Sequence, residues 1–212
     1  WGGGVFVDQT DSVVLSNSFF GGNTVVQGTS SSAIGGGFYG QNLSSFSGYN
    51  SFFVENTAAQ NGSALGIDTV TTSSIKNNNI LSSGSSPALW LANTTGTANN
   101  NIFHNNSVTA ADAPSTVAFT YNDWNGNGTD VSGGANMTIG NNGNISELPD
   151  FTAYSQDGNF DNDNFALQCS SPLIDAGDPS DSDISAGSCS NNEQIVSDIG
   201  AFGGSTLLEA DG

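Results

Sequence analysis

The chain writes one phrase twice. "NSFFGGNT" at Asn17–Thr24 returns as "NSFFVENT" at Asn50–Thr57, and "WGGGVFV" at Trp1–Val7 is echoed by "IGGGFYG" at Ile34–Gly40, both at an offset of 33 residues. Shorter echoes follow: "NNILSSG" at Asn78–Gly84, "NNIFHNN" at Asn100–Asn106 and "NDWNGN" at Asn122–Asn127. Aligned on the first Asn, the anchors are Asn17, Asn50, Asn78, Asn100 and Asn122, with spacings of 33, 28, 22 and 22. Repetition at this scale marks a stack of like units, each too small to bury its apolar face alone.

The unit is β-structured. Apolar residues never recur at helical spacing over two turns, and Gly, Ser, Asn and Thr interrupt every window. What remains are short β-rich runs such as "VFV", "SVVL", "ALWLA" and "TVAFTY", bounded by turn residues. Several short strands per repeat predict an all-β parallel solenoid with coils ~4.8 Å apart. A β-sandwich is the competing all-β architecture, and the shared offset argues against it. In a stack, equivalent residues form columns. One column is expected from Phe19, Phe52, Ile80, Ile102 and Trp124, another from Phe20, Phe53, Leu81, Phe103 and Asn125. Which column faces inward is left open, because a nearby turn can break alternation. Asn at a repeated corner tolerates left-handed backbone and can build a hydrogen-bonded ladder.

Charge divides the chain. It holds 20 acidic residues, one Lys (Lys76), no Arg and one His (His104), for a formal charge of −19. This excludes nucleic-acid binding through a basic patch and attraction to anionic membranes. No apolar run is long enough to span a bilayer. Only five acids, Asp8, Asp11, Glu55, Asp68 and Asp112, precede residue 123. Composition therefore predicts coils over 1–125 and a closing segment over 126–212 that caps the C-terminal end of the same domain.

That closing segment carries a resemblance. "GNISELPDF" at Gly143–Phe151, "DNFALQCSSPLIDAGDPSDSD" at Asp163–Asp183 and "SDIGAFGG" at Ser197–Gly204 resemble the C-terminal portion of β-helix surface proteins of the choice-of-anchor Q type. There a "DPxF" element stands where this chain reads "LPDF". The GGG and Phe-x-x-Asn repeats (Phe20 with Asn23, Phe53 with Asn56, Phe103 with Asn106) resemble those of polymorphic outer-membrane proteins, within the pectate-lyase-like superfamily. The resemblance implies a right-handed parallel β-helix, exported and displayed on a cell surface. It implies no single chemistry, since the fold hosts adhesins, lyases and hydrolases.

Candidate sites are few. Lys76 and His104 each read as lone surface side chains, so a basic catalytic residue of the lyase kind has poor candidates. A non-catalytic structural or adhesive role is expected, with polysaccharide binding or cleavage as the alternative; Trp90 and Tyr39 are candidate glycan contacts. Three acidic runs present alternating oxygens that suit Ca²⁺: Asp123, Asn125, Asn127 and Asp130; Asp157, Asn159, Asp161 and Asp163; Asp175, Asp178, Asp181 and Asp183. The first resembles an EF-hand loop but has Gly134 where a Glu belongs. Cys169 and Cys189, the only two cysteines, are expected to form a disulfide. "WGGGVFV" begins inside a coil. Either further coils precede it, or a second copy covers that end in head-to-tail assembly.

Overall fold

The computed structural model describes residues 2–28, 32–181 and 196–203. The described residues form an all-β structure without an α-helix. The first repeat supplies β1 (Val5–Asp8), β2 (Ser12–Ser16), β3 (Phe19–Gly21) and β4 (Thr24–Val25). The second supplies β5 (Phe38–Tyr49), β6 (Phe52–Val54) and β7 (Thr57–Ala58), and the third β8 (Leu65–Lys76) and β9 (Asn79–Leu81). Then come β10 (Leu89–Asn99), β11 (Ile102–His104), β12 (Thr109–Asp112), β13 (Val117–Thr120), β14 (Asp123–Asn125) and β15 (Thr129–Ser132). A hairpin of β16 (Phe151–Ala153) and β17 (Asn164–Leu167) closes the list of strands.

Two parallel sheets face each other. The larger has the order β1-β5-β8-β10-β12-β15, with β2 also on β5 and β13 also on β10; the smaller runs β14-β11-β9-β6-β3. Every pairing in both is parallel, and each strand lies beside its equivalent in the next repeat, an arrangement consistent with a β-solenoid. Between them lies one apolar core that includes Phe46, Phe53, Leu65, Ile67, Ile75, Ile80, Phe103 and Trp124.

The register resolves the columns. Phe20, Phe53, Ile80, Phe103 and Trp124 stand one above another and point inward. Phe20 stacks on Phe53 at 5.1 Å and Phe103 on Trp124 at 4.3 Å, each pair of rings nearly parallel. Phe19, Phe52, Asn79, Ile102 and Asp123 form the outward column. The alignment on Asn78 and Asn122 is therefore one residue out. The left-handed corners are Asn17, Asn50, Asn77, Asn100 and Tyr121, with φ between 49° and 55°. A run of three Asn hid the first slip, and a Tyr in a left-handed position hid the second.

Asn does build ladders, one residue beyond those corners. Ser18 N–H donates to Ser51 Oγ, and Ser51, Asn78, Asn101 and Asn122 each donate a backbone N–H to the side-chain oxygen of Asn78, Asn101, Asn122 and Asn144 in turn. The rungs span 33, 27, 23, 21 and 22 residues. Asn78, Asn101 and Asn122 also donate their amides to buried carbonyls of Gly48, Ile75 and Ala98, so corner backbone that water cannot reach is satisfied. A second ladder five residues on uses Asn23, Asn56, Asn106 and Asn127. It accounts for the Phe-x-x-Asn spacing: an inward ring, then an amide that returns to the strand of the repeat before. The triple glycine has a packing cause. A Cβ on Gly36 would stand 2.1 Å from the Ser63 carbonyl oxygen.

The closing segment does more than cap an end. Asn144 extends the ladder and Ile145 bridges Asp123, which covers the last strand. The chain then runs back along the outer face of the small sheet. Tyr154 reaches Ser82 in the third repeat, and Phe160 and Phe165 reach Phe19 in the first. Leu173, Ile199, Ala201 and Phe202 join Phe52, Val54, Leu81 and Ile102 in a second apolar cluster. The "SPLIDAGD" and "DIGAFG" elements thus meet each other and dock on Asn side chains. Ile199 N–H donates to Leu173 O, and Ala201 N–H donates to Asn79 Oδ1.

Candidate functional site

The three acidic runs take structural duties. In the first, Asn127 faces the ladder: its Oδ1 accepts both amide groups of Asn106, and its own amide donates to Phe103 O and Asp130 Oδ1. Asn125 hydrogen-bonds the His104 ring. Asp123 is fully buried on the outward column; its Oδ1 accepts Glu147 N–H at 2.8 Å and its Oδ2 has no partner. Burial, opposed by that hydrogen bond and reinforced by Glu147 and Asp130, pushes its carboxyl up to about 8. Asp123 is committed to Glu147, Asn125 to the His104 ring, and Asn127 to the ladder and Asp130, so the EF-hand-like spacing does not build a shared ligand set.

The second run forms a tight turn. Asp157 accepts from Asn159 N–H and Asn162 Nδ2, which holds its carboxyl below the ordinary value. Asn159 caps the short 3₁₀ turn Phe160–Asn162 by accepting from Asp161 N–H. Asp163 Oδ1 accepts from Ser155 N–H and its hydroxyl. Glu55, brought in from the corner after β6, is the member that sequence spacing could not supply. Its carboxyl is raised by burial first and then by Asp163 and Asp157. Glu55 Oε1 and Asp163 Oδ2 are both buried without a partner.

The third run is a clamp. Asp181 pairs with Lys76 at 2.7 Å and accepts from Asn100 Nδ2, while Asp178 Oδ1 accepts from Ser180. Lys76 is therefore ion-paired and not simply solvated. Asp175 N–H donates to Asp198 Oδ1. Asp183 and Cys189 lie outside the described residues; Cys169 is not a free thiol. Among the described residues no three His, Cys, Asp or Glu side chains come together as a metal site.

Tyr39 is not a surface contact: it is 2% exposed, stacks on Phe6 at 5.4 Å and donates its hydroxyl to Gln41 Oε1. Burial, with Asp68 and Asp8 nearby, pushes its phenol up to about 12. Trp90 is half-buried, in register with Gly66 on one side and Asp112 on the other. It keeps a partly open face flanked by a carboxylate-bearing neighbour.

Two surfaces remain as candidate sites. One is the outer face of the second half of the large sheet. There Ser12, Ser45, Thr72 and Thr95 stand in register, as do Val14, Ser47, Ser74, Thr97 and Ala118. The columns give small, evenly spaced side chains, mostly hydroxyls, ~4.8 Å apart. The second is a cleft of about 200 Å³ where the closing segment turns back, lined by His104, Leu148, Pro149, Asp150, Phe151 and Tyr154. The "LPDF" element supplies four of these walls. His104 is buried at 7% exposure, against the expected surface position, and desolvation lowers its pKa.

No family model, curated protein or solved structure matches the chain.

Proposed function

We propose that this chain is a right-handed parallel β-helix that serves as a non-catalytic scaffold, structural or adhesive, on a cell surface or in an extracellular assembly. The observation that carries this reading is the first ladder, continuous from Ser18 to Asn144. It fixes the backbone of each repeat against the next and holds the hydroxyl columns of the large sheet in register. A rigid ruler of weak donors and acceptors suits contact with an extended polysaccharide, where many small contacts add. The resemblance to exported β-helix surface proteins and the acidic composition support the same reading, and an exported chain would carry the Cys169–Cys189 bridge. In this reading Ca²⁺ is the ion that the acidic turns would recruit.

The second reading is a carbohydrate-active β-helix, favoured by Trp90 beside Asp112. Affinity electrophoresis against a panel of neutral and acidic polysaccharides, with product analysis of the same mixtures, separates the two. The scaffold reading expects retardation without cleavage, weakened by Thr72→Ala with Thr95→Ala. New reducing ends or unsaturated products would support the second reading instead.

A further inference from the structure

The ladders use Asn56, Asn78, Asn101, Asn106, Asn122 and Asn144 among the buried amides, but the cleft beside β11 holds polar groups with acceptor capacity left over. The His104 ring hydrogen-bonds Asn125, and its Nδ1 is buried with no partner. A neutral ring that donates through Nε2 leaves Nδ1 as a bare acceptor. Desolvation favours that neutral form. Beside it Asp150 offers a carboxylate whose Oδ2 takes the Ser170 hydroxyl at 2.8 Å, leaving acceptor capacity over. Tyr154 spends its hydroxyl proton on Ser82 Oγ at 2.7 Å, so it brings a ring to the cleft and no donor. Phe151 stands edge-on to both His104 and Tyr154, and Leu148 and Pro149 complete an apolar wall.

The cleft therefore combines acceptors, aromatic rings and apolar carbon. An anion would be repelled by Asp150 and by a chain of net charge −19. At about 200 Å³ the cleft is smaller than the roughly 300–1,000 Å³ typical of drug-sized ligands. We propose that it binds a small primary alkylammonium ion, the head donating to Asp150 and His104 Nδ1 and the stem packing on Phe151, Tyr154 and Leu148. Three N–H donors can serve the acceptors that Asp150 and His104 Nδ1 offer, and a cation beside aromatic rings gains further attraction. This inference concerns a different surface from the hydroxyl columns and stands or falls apart from the scaffold reading.

His104 is the only histidine, so its ring resonances identify themselves. We would titrate the whole chain with n-butylammonium and follow those resonances by NMR, with n-butanol and butyrate as the uncharged and anionic counterparts. Saturable shifts with n-butylammonium alone are expected, together with a further fall in the His104 pKa as a cation settles beside it. Asp150 has φ of 55°, which Asn tolerates, so Asp150→Asn should keep its melting temperature while affinity falls at least tenfold. Leu148→Trp, at a position 61% exposed, should block the cleft without disturbing the core. Equal shifts with butanol, no saturable shift, or undiminished binding by both variants would overturn the proposal.

Discussion

Lys76 Nζ lies 2.7 Å from Asp181 Oδ2, and through this contact the chain's single lysine helps hold the returning segment to the stack. Both side chains are partly exposed, at 35% and 27%, so screening by water limits its value. Lys76→Met should cost about 0.5–1 kcal/mol at low salt, and less at high salt. Asn100 still holds Asp178 N–H and Gly200 N–H, so the segment stays docked. Thermal melts across a salt series check this; a loss of several kcal/mol, or one independent of salt, would contradict it.

Asn101 should be far less tolerant. Its Oδ1 accepts both amide groups of Asn78, and its Nδ2 donates to Ile75 O, Asn99 O and Asn122 Oδ1. Asn101→Ala strands several buried groups at about 1–3 kcal/mol each, so a loss of roughly 3–5 kcal/mol is expected. Asn93→Gly, at an exposed corner with φ of 48° where the amide donates to Asp68 Oδ1, should cost under about 1 kcal/mol, since Gly keeps that backbone without strain. Urea titrations of both variants give the comparison.

Asp123 makes stability depend on pH. Its folded carboxyl titrates at about 8 against an ordinary value of 3.8. The folded state thus holds a proton that the unfolded state releases. Stability is full below the ordinary value and falls as pH rises towards the folded value. Asp123→Asn resembles the protonated form and can still accept from Glu147 N–H. It should flatten the decline between pH 4 and 8 and melt above the parent at pH 8. An unchanged pH profile would place the decline elsewhere.

Glu55 and Asp163 predict an ion effect. Two buried, unpartnered carboxylate oxygens near Asp157 repel one another in the absence of a counter-ion. Glu55→Gln should stabilise the chain in chelator by up to about 1 kcal/mol. Ca²⁺ should raise the melting temperature of the parent and not of the variant, because a ligand of the folded state stabilises by mass action. A parent melt indifferent to chelator and Ca²⁺ would remove the metal from this account.

The parallel repeats were legible because stacking copies a strand's chemistry into its neighbour; Phe19–Phe20 and Phe52–Phe53 announce themselves. The register slip at Asn78 was not, since the corner position accepts Asn or Tyr and so writes no fixed letter. Acidic clusters misled for a similar reason. The first run crosses the turn between β14 and β15, where strand alternation lapses, and there Asn127 turns into the ladder. The cleft depends on Leu148–Phe151 meeting His104 across a long excursion, and no local pattern encodes that meeting. Glu55 joined Asp163 in the same way.

The stack itself is open to a direct ruler. Nitroxide labels at Val14 paired in turn with Ser47, Ser74, Thr97 and Ala118 sit on one column of the large sheet. With no free native thiol among the described residues to compete for label, electron paramagnetic resonance should return separations that climb by one strand spacing per step. The expected series is about 5, 10, 14 and 19 Å, broadened by the label tethers. A series that fails to climb, or a Val14–Ala118 separation shorter than that of Val14–Ser74, would contradict a parallel stack in register.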